Sequence, residues 1–168
     1  MDAKPAYLAQ FAQMGSIYME SVMGIKSPKV ALVNVGAEAE KGNQLTKEAF
    51  SLLEELDINF IGNIEGRDIP MGLADVIVCD AFTGNVILKH TEGLGLALFN
   101  IIKEELMKDT LSKIGALLSK SAYKRVKRRF DYTEYGGAPM LGLQGLVVKA
   151  HGSSNAKAIK SAIEQAVK

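Results

Sequence analysis

Three short apolar, largely β-branched runs, at residues 30–35, 58–64 and 76–79, each give way to a glycine-containing polar turn, at Gly36, at 63–68 and at 80–85. Stretches of helical periodicity separate them. Residues 5–23 place Leu8, Phe11, Tyr18 and Val22 near one face and stop at Gly24; residues 45–56 form an amphipathic pattern preceded by Gly42-Asn43. A long helical region follows from Asn85. A fourth apolar run, 145–150, leads into His151-Gly152-Ser153-Ser154 and an Ala-rich closing helix at 155–167. This alternation predicts an α/β fold with a parallel or mixed sheet and flanking helices. In a parallel sheet the four turns gather at the carboxyl edge, where open α/β folds bind their ligands.

The turn after residue 79 carries the most chemistry. Within ten residues it offers a carboxylate (Asp80), a hydroxyl (Thr83), a flexible backbone step (Gly84), an amide (Asn85) and an ammonium (Lys89). The start of a helix exposes backbone N–H groups with a favourable dipole, which suits phosphate or another anion.

Bulk properties narrow the field. Of 168 residues, 48% are hydrophobic, enough for a core in a single α/β domain spanning 1–168. Twenty basic residues stand against 19 acidic ones, so net charge gives no reason to expect nucleic acid. The one cysteine, Cys79, rules out an internal disulfide framework and suits a reducing cytoplasm. A lone cysteine ending an apolar strand is far more often core than nucleophile. No apolar run has the length of a membrane span. No His/Cys/Asp cluster has ligand spacing, so no metal is expected. About four strands make a small parallel sheet, and both its faces need covering, which predicts either a missing N-terminal portion or a tight dimer.

Residues 93–130 read as a helical insertion. Leu98, Ile101, Ile102 and Leu106 form one apolar stripe; Leu111, Ile114, Leu117 and Leu118 form another. Beyond them Lys120, Lys124, Arg125, Lys127, Arg128 and Arg129 occur with no acidic residue between. The pattern suits an anionic membrane surface or an acidic protein partner. It equally suits a helical hairpin packed on the core or on a dimer mate, with a solvated basic tip.

Four motifs fall in order along the chain: Lys41-Gly42-Asn43, the Asp80 to Lys89 turn, the Gly-Gly-Ala-Pro-Met-Leu-Gly run from Gly136 to Gly142 after Tyr135, and His151-Gly-Ser-Ser154. Together they resemble the C-terminal half of the PlsX family, the bacterial phosphate acyltransferases of phospholipid synthesis. The resemblance implies a fold like that of isocitrate and isopropylmalate dehydrogenases. It implies transfer of a fatty acyl group from acyl carrier protein to inorganic phosphate, with no cofactor beyond the phosphopantetheine that the carrier protein brings. It further implies a homodimer, cytoplasmic and peripheral on the inner face of the membrane through the helical insertion, with the downstream glycerol-3-phosphate acyltransferase as a partner. The family usually has glycine where this chain has Ala81. If that position needs φ > 0, alanine costs roughly 1 kcal/mol or more; a negative φ makes the change harmless.

That reaction assigns roles. Thr83, Gly84, Asn85 and Lys89 are the phosphate-binding candidates, with Lys89 alternatively an ordinary surface lysine. Asn63 and Asn85 are candidates to polarise the thioester carbonyl. Asp80 would orient a neighbouring donor, or simply brace its own turn. His151 would protonate the leaving thiolate, or bond a carbonyl at a strand end. The basic residues from Lys120 to Arg129 would meet carrier protein or lipid. Two alternatives remain open: a phosphate acetyl- or butyryltransferase acting on acyl-coenzyme A, and a non-catalytic dimerising or membrane-binding fragment. A dehydrogenase is disfavoured because no G-x-G-x-x-G turn follows a strand.

Overall fold

The computed structural model describes residues 2–129, 136–152 and 154–167. They divide into two compact units, Met1–Ile87 and Leu88–Lys168. Among the described residues the elements are α/β in kind, with six helices and a three-stranded parallel sheet.

The first unit is built on β1 (Val30–Asn34), every residue of which is buried. A strand buried on both faces has to be apolar throughout, and Val-Ala-Leu-Val meets that demand. It pairs in parallel with β2 (Phe60–Glu65) on one side and β3 (Val76–Val78) on the other, in the order β2-β1-β3. A parallel pair needs a crossover, and α2 (Gln44–Glu54) supplies it between β1 and β2. Asn43 caps α2: its side chain accepts from the Thr46 N–H at 3.0 Å. Helix α1 (Pro5–Ser21) starts with proline at its first position and packs against α2 and β3. Gly15 is the contact with β3, since a Cβ there would collide with Val76.

Leu8 and Ala12 of α1, Ala49 and Leu53 of α2, Val30, Leu32 and Val78 form the core. Phe50 and Phe60 meet edge to face beside it, with centroids 5.2 Å apart. The buried stripe of α1 therefore differs from the expected one: Phe11 and Val22 are 44% and 42% exposed. Small residues at positions 12 and 15 let the helix approach the sheet, and they set which face turns inward.

Helix α3 (Ala81–Leu106) runs across the boundary between the units. It starts one turn before the expected Asn85, so Thr83, Gly84 and Asn85 belong to its first turns and not to a loop before it. Ala81 is helical, and among the described residues only Ser27 is a non-glycine with positive φ. Alanine at position 81 is thus unstrained.

The second unit holds α4 (Thr110–Leu118), α5 (Lys120–Arg129), β4 (Gly137–Pro139), β5 (Val148–Ala150) and α6 (Ala156–Val167). The strand expected at 145–150 shortens to β5, and it joins no parallel sheet. It pairs antiparallel with β4, inside the 136–142 motif, where no strand was expected. Two glycines and a proline conceal a strand well, yet proline is tolerated at an edge. Gly136, at φ +78°, packs directly on α6: a Cβ there would collide with the helix backbone at Ala162 and Ala158. Helix α3 has no buried residue, and Leu98, Ile101, Leu111, Ile114, Leu117 and Leu118 are all exposed.

Candidate functional site

The carboxyl ends of β1 and β3 open into a cleft of about 410 Å³ lined by Leu8, Val33, Asn34, Val35, Gly42, Asn43, Thr46, Cys79, Asp80 and Thr83. It lies wholly within the first unit, where the rule for parallel sheets places a ligand. Two loops build it. After β1 the chain turns through 35–43 to the α2 cap, and after β3 it passes directly through Cys79 and Asp80 into α3.

Asp80 is the cap of α3. Its Oδ1 accepts from the N–H groups of Phe82 (2.9 Å) and Thr83 (3.0 Å), and its Oδ2 accepts from the Thr83 hydroxyl at 2.5 Å. Burial pushes this carboxyl up, but the Thr83 hydroxyl and the surrounding N–H groups outweigh it and hold the group below its ordinary value. The Gly84 N–H donates to the Asp80 carbonyl at 2.9 Å. The donors of Phe82 and Thr83 that would greet an anion at this helix start are therefore already committed to the chain's own carboxylate. The Thr83 hydroxyl, with its proton directed to Asp80, presents lone pairs to the cleft.

Cys79 lines the same cleft. Burial first, and the Asp80 charge second, raise its pKa, so it stays a neutral thiol. A Cβ on Gly84 would stand 3.1 Å from its sulfur, so glycine at 84 lets α3 start close against β3.

The remaining candidates are distributed more widely. Asn85 is exposed and does not line the cleft; Lys89 is exposed and belongs to the second unit. Asn63 is 7% exposed, and its Nδ2 donates to the Glu38 carbonyl at 2.9 Å. Its Oδ1 is buried with no hydrogen-bond partner among the described residues. His151 follows β5 in the second unit, exposed, and its carbonyl accepts from the Ser154 N–H at 3.0 Å. Lys120, Lys124, Arg125 and Arg128 are exposed on α5, while the side chains of Lys127 and Arg129 lie outside the described residues. Beyond β2, Arg67 pairs with Glu65 at 2.8 Å, and Asp68 accepts from the Glu65 N–H at 2.9 Å. That turn braces itself.

Sequence reasoning passed over Asn34 and Thr46. Asn34 is hidden at the end of an apolar run, and the one available signal is that a polar residue inside a buried strand must find partners.

Comparison with known proteins gives one consistent answer. A family model described as "Fatty acid synthesis protein" matches residues 1–168. A protein of Alkaliphilus oremlandii (strain OhILAs) named "Phosphate acyltransferase" is 59% identical over 167 residues, covering 99% of this chain and 50% of that protein. Proteins of the same name from Clostridium botulinum (strain Loch Maree / Type A3) and Clostridium novyi (strain NT) are 58% and 52% identical over 166 residues, again 50% of their length. The chain thus spans about half the length of the curated relatives it matches.

Proposed function

The chain belongs to the fatty acid synthesis protein family, the PlsX family, and on that premise we propose that it supplies one wall of a phosphate acyltransferase site. The observation that carries this reading is the cleft at the carboxyl edge of β1 and β3, where Asn43 and Thr46 share a space with Asp80 and Thr83. In the proposed reaction, fatty acyl–carrier protein and inorganic phosphate give acyl phosphate and free carrier protein. An oxygen of hydrogen phosphate attacks the thioester carbonyl carbon, the carbon–sulfur bond breaks, and the phosphate proton passes to the departing thiolate. No redox partner is needed, and the phosphopantetheine arm comes with the carrier protein.

Phosphate is a competent nucleophile at neutral pH, so holding it in line matters more than activating it. The committed donors at the start of α3 shape how it is held. Asp80 fixes Thr83, whose oxygen accepts from the protonated phosphate oxygen. Asn85, two residues beyond Thr83 on the same helix and exposed outside the cleft, is the candidate donor to the part of the substrate that projects from it. Asn63, buried on β2 within the first unit, or Asn85 is the candidate to meet the carbonyl oxygen. The two-unit chain functions as a homodimer with the fold of the isocitrate and isopropylmalate dehydrogenases; the parallel β2-β1-β3 sheet supports that parentage. Exposed basic residues of α5 support docking of acidic carrier protein and peripheral attachment to the inner face of the membrane, near the glycerol-3-phosphate acyltransferase that consumes the product.

The test is acyl phosphate formation from palmitoyl-acyl carrier protein and phosphate, trapped as the hydroxamate. It is run on this chain alone and joined to the N-terminal half of the Alkaliphilus relative. Product from either form, reduced about 10²-fold or more by Asn85→Ala, is the expected outcome. Product with an undiminished rate and unchanged phosphate dependence in Asn85→Ala would remove the phosphate role from that residue. Silence from both forms would overturn the acyltransferase reading.

A further inference from the structure

Asn34 closes β1 at 9% exposure, and a carboxamide that deep has to find partners in its own neighbourhood. It finds them in the loop that follows. The Val35 N–H donates to its Oδ1 at 2.9 Å, and its Nδ2 donates to the Lys41 carbonyl at 3.0 Å, so one side chain ties the first residue of the loop to one near its end. Gly42 comes next, at φ +96°, a region that side chains other than glycine rarely adopt. It also presses on the same carboxamide: a Cβ there would collide with Asn34 Oδ1 and Thr46 Oγ1. Amide and glycine interlock, and the following residue is Asn43, the α2 cap. The loop is tethered a second time at its middle, where Asn63 Nδ2 reaches the Glu38 carbonyl.

We propose that Asn34 is a positioning residue for phosphate: its carboxamide fixes the Lys41-Gly42-Asn43 turn in the cleft, and the turn meets the substrate. The proposal rests on the reading of the cleft as the phosphate site. It goes beyond that reading by assigning the work of one wall to a buried residue that neither reacts nor carries charge.

Cys79 makes the test direct, because it lines the cleft and is the chain's single cysteine. The rate at which an aromatic disulfide reagent modifies it, measured against inorganic phosphate at constant ionic strength, gives a half-protection concentration without any need for turnover. Asn34→Asp keeps the shape and the acceptor for Val35 but replaces the donor to Lys41 with a second acceptor. It is expected to raise the half-protection concentration at least tenfold. Gly42→Ala, which retains every polar group, is expected to act in the same direction and carries the test if Asn34→Asp does not fold. Leu53→Ala, a core change away from the cleft, is expected to lower stability and leave the half-protection concentration within twofold. A concentration that is unmoved in both Asn34→Asp and Gly42→Ala, or moved equally by Leu53→Ala, would overturn the positioning role. Absence of phosphate protection in the unsubstituted chain would overturn the phosphate reading itself, and this proposal with it.

Discussion

At Asp80 a single carboxylate is both helix cap and wall of the cleft, and its pH response follows from the first of those roles. Its folded-state pKa lies below the ordinary value of 3.8, so the cap contributes stability that is fully present above the unfolded pKa. As pH falls through the folded value the carboxylate is protonated and that contribution is lost. The melting temperature of the unsubstituted chain should therefore exceed that of Asp80→Asn by a constant margin above about pH 5, and the margin should shrink steadily below about pH 4. Circular-dichroism melts from pH 2.5 to 7 measure it; a margin independent of pH would show that the carboxylate charge contributes nothing to the cap. This bracing role was one of the two readings that the sequence left open for Asp80. Less legible was its consequence, that the helix donors once assigned to phosphate are taken. Asn34 left only a faint signal, because a strand's outline is drawn by its apolar residues and the polar one at its end reads as mere punctuation.

Elements were read more securely than residues, and where they shifted the cause is local. Helix α3 begins a turn early because Asp80 caps it and Ala81 favours helix, although Thr83-Gly84 had the composition of a loop. The parallel sense of β1 to β3 follows from buried β-branched runs separated by connecting segments, whereas their order, β2-β1-β3, was not read from the sequence. Strand β4 and its antiparallel pairing with β5 escaped because three residues, Gly-Ala-Pro, carry almost no periodicity. Helix α2 rests on a short buried stripe, Ala49 and Leu53, both 0% exposed. Truncating Leu53 to alanine removes apolar contact with α1 and the sheet and leaves a cavity, which costs about 2–5 kcal/mol. Urea unfolding should show a midpoint lowered accordingly. A change under about 1 kcal/mol would mean that the α1–α2 layer collapses to refill the space.

For the molecule as a whole, the apolar residues divide unevenly. The core draws mainly on residues 5–80, whereas α3 and α4 leave Leu94, Leu96, Leu98, Ile101, Ile114 and Leu117 more than half exposed. Scattered exposed leucines are ordinary, but a run of them across consecutive helices marks a surface meant to meet something. The pattern of residues 93–118 was plain in the sequence; what covers it was not, because amphipathic periodicity reports a face and not its partner. Basic α5 follows in the chain and makes lipid the testable occupant. Each basic residue near an anionic bilayer contributes about 1 kcal/mol. Replacing Lys124, Arg125, Lys127 and Arg128 together with serine should then lower the partition constant onto phosphatidylglycerol vesicles by on the order of a hundredfold or more at low salt. The unsubstituted chain should lose affinity as salt rises past the point where the Debye length falls to about 10 Å, and the serine variant should be nearly indifferent to it. Cosedimentation with vesicles of graded anionic content separates the contributions. Binding that persists in the serine variant but disappears when Leu111 and Leu117 become serine would assign attachment to the apolar face alone and leave α5 to an acidic protein.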